Sequence, residues 1–349
     1  MNWAAIRLWV WVLAFAAVDV AASAWADEPV APAVQPDSAQ PAREPVYYGR
    51  TSSEWLRLLA SGNDRDRAYA VYALERLVPD SPDAARAIAG AVQDLNRDVS
   101  VRASETLVRL GPKAQAATSI LAAALVDRAS EVRERAMAPL DAIGWDKVAV
   151  TGLAAAIDDR DTQVSRGAAY KAIGLGRKAE KAAPSLVRAL KSPDVEVRYL
   201  AAIALVEATP DAKAALPVLI EAARNPVWTI QIEDVPCGGS SRHLVAGTDA
   251  LRALGKLGPA AKDAIPLFAD LLTRPETQSV NPPQSPTILP ADGRGAYVSN
   301  VRRLASEALA AAGIESLPHL EKALSNSNRD VRALAAAAIG KLGPAASHA

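Results

Sequence analysis

The stretch DVSVRASETLVRLGP, residues 98–112, decides the fold, because it returns near the other end of the chain as DVRALAAAAIGKLGP, residues 330–344. In both copies the apolar residues recur at the spacing of one face of an α-helix. Gly111 and Gly343 follow the last apolar residue, where a left-handed residue commonly ends a helix, and a proline follows each glycine. Each copy therefore predicts one helix with a sharp end.

Six further segments align with these two copies through a position that is arginine in most of them. The aligned residues are Arg67, Arg102, Arg133, Ser165, Arg198, Gly247, Arg302 and Arg332. Their separations are 35, 31, 32, 33, 49, 55 and 30 residues, which gives a unit of fairly constant length and two enlarged gaps. A second apolar stripe follows the glycine, as in Ala264–Leu272, and predicts a second helix in each unit. Such a period is typical of stacked-repeat proteins.

The repeats predict an all-α fold, an α-solenoid of about eight stacked helix pairs over residues 47–345, with loop insertions at 225–243 and 274–297. Half of the residues are apolar but only 5% are aromatic, which favours a thin core of closely packed helices. Thr51 and Glu54 form a predicted capping box at the start of a helix that contains Trp55. We expect that helix to cover the first repeat.

Residues 1–26 have the pattern of a signal peptide. Arg7 supplies the positive charge, Leu8–Val18 the apolar region, and Ala24–Ala26 the small residues before a cleavage site. The apolar region is shorter than the roughly 20 residues that span a bilayer, and an uncleaved anchor is the alternative. Residues 27–46 hold five prolines and predict a disordered linker, and 346–349 a short tail. We expect a secreted or periplasmic protein without membrane insertion after cleavage.

The charges balance, with 39 basic and 39 acidic residues. This balance argues against a nucleic-acid-binding protein, because such proteins present a positive excess to the phosphates. Cys237 is the only cysteine, so the fold contains no internal disulfide. The last predicted helix has small residues on its outer flank, Ala333, Ala336 and Ala337. We therefore expect a monomer.

The Val-Arg and Leu-Gly-Pro elements resemble those of the HEAT-repeat family, especially the short bacterial repeats named for phycobilisome-lyase-like proteins. The resemblance covers roughly residues 47–345. It implies that the recurring Asp and Arg residues form a structural ladder between adjacent repeats, interrupted at Ser165 and Gly247. The implied ladder residues are Asp98, Arg102, Arg133, Asp194, Arg198, Arg302, Asp330 and Arg332.

Two enzyme classes of this family can be tested on the sequence. Di-iron members similar to deoxyhypusine hydroxylase carry paired His-Glu motifs, whereas His243, His319 and His348 are not followed by glutamate. Bilin-lyase-like members handle a tetrapyrrole, and no distinctive pigment-binding motif is present. The sequence thus predicts no metal and no cofactor. Asp158–Asp161 is interpreted as a solvated helix start rather than a calcium site, and Gly174-Leu-Gly176 as a helix end.

The segment VPCGGSSRH, residues 235–243, is the remaining chemical candidate. Cys237 could be a nucleophile with His243 as its base, or the two could bind a metal together with nearby carboxylates. The Gly-Gly-Ser-Ser tether fixes neither geometry. We interpret this segment as an adaptable surface loop.

The favoured function is an exported scaffold that binds a protein or peptide and has no catalytic activity of its own. Alternatives are a lyase-like or oxidoreductase-like enzyme that uses the 225–243 loop, and a structural component of a cell-envelope assembly. Val227–Glu233 alternates like a β-strand, for which Thr287–Leu289 is the proposed partner. The two insertions then form the binding surface, with the face of the second helices as the alternative site. The candidate binding residues are Trp228, Glu233, Arg242, His243, Arg294 and Tyr297.

Overall fold

The computed structural model of the protein describes residues 44–225, 229–232, 242–275 and 293–346. The chain divides into two compact units, Met1–Glu44 and Pro45–Ala349, and the fold below is that of the second. The predicted signal peptide and most of the predicted linker lie outside the described residues. The linker prediction is wrong at its end, because Val46–Tyr47 (β1) pairs antiparallel with Arg50–Thr51 (β2). Two successive positive φ values, at Tyr48 and Gly49, allow the tight turn between these strands.

The described part of the second unit is a succession of helix pairs preceded by one extra helix, α1 (Ser52–Ser61). The first helices of the pairs are α2 (Asp64–Leu77), α4 (Arg97–Leu110), α6 (Ser130–Ile143), α8 (Thr162–Leu175), α10 (Val195–Ala208), α12 (Ala246–Leu257), α14 (Gly293–Ala312) and α16 (Arg329–Leu342). The second helices are α3 (Pro82–Gly90), α5 (Thr118–Ala124), α7 (Lys147–Ile157), α9 (Ala183–Ala189), α11 (Leu216–Arg224), α13 (Ile265–Thr273) and α15 (Leu317–Leu324).

Polar caps and glycines fix where the first helices begin and end. Asn63, Asn96 and Asp161 each accept hydrogen bonds from backbone amides of the first turn that follows, which satisfies donors that have no partner inside the helix. Gly111 and Gly343 have φ values of +53° and +66°, as the sequence predicted, so they end the helix in the left-handed region. The predicted Thr51–Glu54 capping box is also present.

Alanine controls how closely the first helices pack. Each of these helices carries an alanine at the same position, buried to 0% exposure throughout: Ala70, Ala103, Ala136, Ala168, Ala201, Ala250, Ala305 and Ala335. Consecutive first helices contact one another along the chain, as α8 does with α10 and α12 with α14. The hydroxyl of Ser104 donates to the carbonyl of Arg135 on the next first helix at 2.9 Å, a contact that requires close helices. The all-α solenoid prediction is confirmed.

A β-hairpin follows α11 in the first insertion. Thr229–Ile232 (β3) pairs antiparallel with Arg242–Val245 (β4), with Ile230 opposite Leu244, and Ile230 is buried at 1% exposure. The predicted strand is therefore confirmed at Thr229–Ile232, and it pairs with a second strand of the same insertion that the sequence did not predict. Pairing within one insertion closes a much shorter loop than pairing with Thr287–Leu289, so it costs less chain entropy. Thr287–Leu289 itself lies outside the described residues.

The second insertion ends earlier than the sequence suggested, because α14 already begins at Gly293. At the other end of the unit, a short 3₁₀ turn over Gly343–Ala346 follows α16. Ala346, which the sequence assigned to the tail, therefore belongs to this turn. Ala333, Ala336 and Ala337 are exposed on α16. Among the described helices, none has the length and hydropathy needed to cross a membrane.

Candidate functional site: the arginine ladder and a tyrosine–arginine groove

The ladder begins with arginines that hold the turn before their own helix. Arg133 donates through Nη1 to the carbonyls of Asp127 and Arg128, at 2.8 and 3.1 Å. Arg332 makes the equivalent pair of bonds at the end of the described chain, to the carbonyls of Asn326 and Ser327. Each guanidinium is thereby fixed in one orientation at the start of its helix.

The other half of such a guanidinium reaches a carboxylate of the next repeat. Arg67 grips Asp94 through Nε and Nη2, at 2.7 and 2.9 Å. This fork, opposed by partial burial, holds the pKa of Asp94 below its usual value. Asp94 also accepts the backbone amide of Asn96 at 2.8 Å, so one carboxylate joins the arginine to the cap of the next helix. Arg133 likewise forms an ion pair with Asp159, to which its Nη2 donates at 2.8 Å.

The sequence predicted that the ladder is interrupted at Ser165, and this prediction is wrong. The neighbouring Arg166 pairs instead with Asp194 at 2.7 Å and with Glu196 at 3.0 Å. Burial by itself would raise the pKa of Asp194, but Arg166 and two backbone amides donate to it and bring the pKa below its usual value. The ladder therefore continues through the adjacent residue.

Several other predicted ladder residues differ from the prediction, in their position on the helix or in their contacts. Arg102 lies on the exposed face of α4, and the ladder position of that helix belongs to the buried Ser100, which donates to the carbonyl of Arg97. Asp98 and Asp330 are exposed second residues of their helices. Arg302 donates to the carbonyl of Arg274 at 2.9 Å. Ser100 and Gly247 are thus the ladder positions with no arginine at or next to them.

A second set of ion pairs joins consecutive first helices near their carboxyl ends, and the sequence did not reveal it. Glu75 of α2 pairs with Arg109 of α4 at 3.1 Å. The equivalent pairs further along are Asp141 with Lys171 and Glu207 with Lys256. These side chains are 17% to 56% exposed, so solvent screens each pair and its contribution to stability is small, roughly 0–1 kcal/mol.

The acidic run at 158–161 is occupied by structural contacts. Asp158 accepts from Arg188 and from the hydroxyl of Ser185, Asp159 belongs to the ladder, and Asp161 caps α8. Within the described ranges, no group of His, Cys, Asp and Glu side chains has a metal-binding arrangement. The interpretation as a helix start therefore agrees with the geometry, although Asp159 is nearly buried rather than solvated.

The predicted binding residues are only partly described. Trp228, Glu233 and Cys237 lie outside the described residues. Arg242 and His243 belong to β4, where they oppose Ile232 and Gln231, and Arg294 and Tyr297 belong to the first turns of α14. The side chains of these four residues also lie outside the described part. The insertion surface therefore stays a prediction.

The structure also shows a groove lined by α2 and α4, the first helices of the first two repeats. Arg65, Ala68, Tyr69, Tyr72 and Arg102 line a cavity of about 390 Å³, called here the tyrosine–arginine groove. Tyr69 is 56% exposed and Tyr72 39% exposed, which is high for aromatic side chains in a protein with few of them. Arg102, which the sequence assigned to the ladder, is part of this groove.

Helical spacing places these side chains together. Arg65, Tyr69, Tyr72 and Arg76 follow one another by four, three and four residues, so they lie on one face of α2. The guanidinium of Arg65 lies 5.8 Å from the ring centre of Tyr69, and that of Arg76 lies 5.9 Å from the ring centre of Tyr72. Arg102 occupies on α4 the position that Tyr69 has on α2, counted from the end of each helix. This spacing was the available sequence signal.

The N-terminal hairpin supports the groove from one side. A hydrogen bond with Tyr47 of β1, together with the nearby Arg76, lowers the pKa of Tyr72, and the same contact raises the pKa of Tyr47. Trp55 anchors the hairpin by donating from its indole nitrogen to the carbonyl of Tyr47 at 3.0 Å. Within the described chain, neither Arg65 nor Arg102 has a carboxylate at ion-pair distance. The groove therefore combines exposed aromatic rings with two cations that lack a counter-charge among the described residues.

Comparison with known proteins gives one family match. The profile described as HEAT repeats matches residues 150–233, and no curated protein matches the chain. The similar solved structures include the following three. An engineered protein has 18% identity and a TM-score of 0.45, with 83% of this chain and 88% of that chain covered. The YibA protein of Escherichia coli has 19% identity and a TM-score of 0.46, with 84% and 92% covered. Kap95 in its complex with Nup1 has 14% identity and a TM-score of 0.44, with 84% and 42% covered.

The matched segment runs from α7 through α11 and into the hairpin, and the same helix pair is repeated on both sides of it. The ladder contacts of Arg67 with Asp94 lie well before the match, and those of Arg332 lie after it. Residues 150–233 therefore match HEAT repeats, and helix pairs of the same kind precede and follow this segment in the described chain.

Proposed function

We propose that this protein is an exported, monomeric scaffold that binds an acidic segment of a partner protein along the tyrosine–arginine groove and catalyses no reaction. The observation that carries the proposal is the groove itself, two exposed tyrosines between Arg65 and Arg102, which have no carboxylate partner in the described chain. Tyrosine and arginine are the residues that most often dominate protein interfaces. A HEAT-repeat solenoid supplies an extended surface on which such residues can be displayed.

The charge of the groove selects the chemistry of the partner. Arg65 and Arg102 attract a segment that carries Asp or Glu, and this complementarity mainly improves the association rate and the specificity. The rings of Tyr69 and Tyr72 supply apolar contact area at little cost in side-chain entropy, because each ring has only two rotatable bonds. The overall charge of the chain is balanced, which favours a protein segment over a nucleic acid.

Export is a separate part of the proposal and is supported by the sequence of residues 1–26. N-terminal sequencing of protein recovered from outside the cytoplasm tests it. We expect the mature chain to begin at Asp27. Recovery of an intact leader from the membrane fraction would contradict cleavage and favour an anchor.

The groove is tested with synthetic peptides that contain two to four Asp or Glu residues next to one apolar residue. Fluorescence anisotropy measures their affinity for the wild type and for Arg102→Glu and Tyr69→Ala. We expect Arg102→Glu to weaken binding by about tenfold or more, because repulsion replaces an attraction of roughly 1.4 kcal/mol. Arg329→Glu is the matched control, since this exposed arginine of α16 carries the same charge far from the groove.

Two outcomes would contradict the proposal. One is an affinity that stays the same in both groove variants. The other is equal or tighter binding of Lys-rich peptides or of a single-stranded oligonucleotide, since neither matches an acidic protein segment.

A further inference from the structure

A second site follows from the ladder, at the repeat where the first insertion interrupts it. Arg198 holds the turn before its own helix, as the other ladder arginines do. Its Nη1 donates to the carbonyls of Ser192 and Pro193, at 2.8 and 3.0 Å. Arg133 and Arg332 bind their own turns in the same way. The guanidinium of Arg198 is therefore held in the ladder orientation before any ligand binds.

The carboxylate of the next repeat, with which a ladder arginine normally pairs, is missing at Arg198 in the described part of the chain. Arg67 and Asp94 are 27 residues apart, and at the same separation from Arg198 the chain has Asn225. Asn225 is the residue that ends α11, and the first insertion begins there. An amide replaces the charged group, and across the described residues no carboxylate pairs with Arg198. The site thus has the cation of a ladder pair without its anion.

Arg198 and Asn225 face a cavity of about 260 Å³, called here the Arg198 cavity. Its other walls are mainly apolar and include Val195, Tyr199, Val218 and Ala222. This volume lies just below the range of roughly 300–1,000 Å³ that is typical of small-molecule sites, so it suits a side chain better than a cofactor. Glu221 also lines the cavity, and its negative charge disfavours a doubly charged group such as a phosphate.

We propose that the Arg198 cavity binds the aspartate side chain of an extended peptide from a partner protein. The peptide carboxylate takes the place that Asp94 and Asp159 have at Arg67 and Arg133, where aspartate is the natural partner of the arginine. Flanking apolar atoms of the peptide contact Val195 and Val218. This site is independent of the tyrosine–arginine groove and adds a second point of contact to the scaffold.

The test uses the full mature chain and blocked hexapeptides with one central Asp among Ala, Val and Ser residues. We expect the peptide that binds best to lose about tenfold or more in affinity when its Asp is replaced by Asn. Arg198→Lys should weaken binding by a similar factor, because lysine keeps the charge but loses the planar fork. Arg329→Glu is the matched control and should leave this affinity unchanged, because this exposed arginine of α16 lines neither site. A loss of affinity in Arg102→Glu but not in Arg198→Lys would place the peptide in the groove and overturn the proposal.

A variant inside the protein gives an independent readout. Asn225→Asp places a carboxylate at the ladder position, so it should raise the unfolding temperature and abolish binding of the Asp peptide. The gain in unfolding temperature should disappear when Arg198→Lys is added. Unchanged peptide affinity in Asn225→Asp would overturn the proposal, as would tighter binding of a peptide with phosphoserine in place of the central Asp. Peptide binding that occurs only after Glu233→Gln and Asp234→Asn would show that an acidic residue of the chain itself is the occupant, which also overturns it.

Discussion

Two neighbouring aspartates allow the ladder to be tested against an ordinary surface ion pair. Asp159 pairs with Arg133, and the side chains are 9% and 13% exposed. Asp158 pairs with Arg188, and the side chains are 32% and 62% exposed. The perturbation is a single replacement of each carboxylate by its amide, Asp159→Asn and Asp158→Asn.

The expected magnitudes differ because the burial differs. Removal of one partner from a buried pair leaves an uncompensated charge away from water, which costs about 3–5 kcal/mol. In Asp159→Asn the new side-chain carbonyl would still accept the backbone amide of Asp161, a bond of 2.9 Å in the wild type, so the turn itself is preserved. We therefore expect Asp159→Asn to lose about 3 kcal/mol, at the lower end of that range. Asp158→Asn should lose less than about 1 kcal/mol, because its partner is mostly exposed.

Urea denaturation followed by circular dichroism measures both effects. Native-state hydrogen exchange at the amides of α7 and α8 adds a local measurement, because a repeat array does not always unfold as one unit. Arg133→Met combined with Asp159→Asn should recover part of the loss, since no buried charge then remains unpaired. Equal losses in Asp158→Asn and Asp159→Asn, within about 0.5 kcal/mol, would refute the ladder as a source of stability.

Two further predictions follow from the pKa shifts and the glycines. The pKa values of Asp94, Asp158 and Asp194 lie below their usual value in the folded protein, so their stabilisation is present above about pH 4 and is lost as the pH falls further, which acid titration of the unfolding temperature measures. A loss of stability on raising the pH from about 4 to about 7 would contradict this sign. At Gly176, whose φ is +53°, alanine should cost about 1–2 kcal/mol, whereas Gly174→Ala should gain about 0.5–1 kcal/mol, because Gly174 is helical and nothing lies within 4 Å of an added Cβ. Thermal melts of the two variants compare them, and equal shifts would contradict the distinction.

The sequence was sufficient to identify the repeats, but not to align every residue of one repeat with its equivalent in the next. Asp98-Val99 and Asp330-Val331 align in both sequence and structure, yet the arginine follows three residues after Val99 and directly after Val331. Counting back from the closing glycine places Ser100 at the ladder position, and the first three separations then become 33, 33 and 32 residues. The glycine is the more reliable marker of the alignment, because its positive φ fixes the end of the helix. The arginine is less reliable, because a neighbouring residue can carry it, as Arg166 does beside Ser165.

The groove and the hairpin partner were missed for different physical reasons. Tyr69 and Tyr72 lie in a copy of the repeat with a weak motif, and their spacing is equally compatible with a buried helix face. Only the tertiary packing shows that this face of α2 is exposed. The β3–β4 pairing depends on a strand of four residues at 242–245, too short for its alternation to stand out from the loop before it.

The repeat beside the first insertion shows how the fold tolerates a broken ladder. Counted from the end of the helix, Leu200 and Ile203 of α10 correspond to Arg102 and Glu105 of α4, yet their exposures are only 1% and 7%. Burial of two such side chains contributes about 1.5–3 kcal/mol each, which exceeds the net contribution of most ion pairs, since desolvation offsets their attraction. Because apolar contact stabilises this repeat, the charge of Arg198 is not needed to hold it, and Asn225 can stand in place of the carboxylate without loss of the fold.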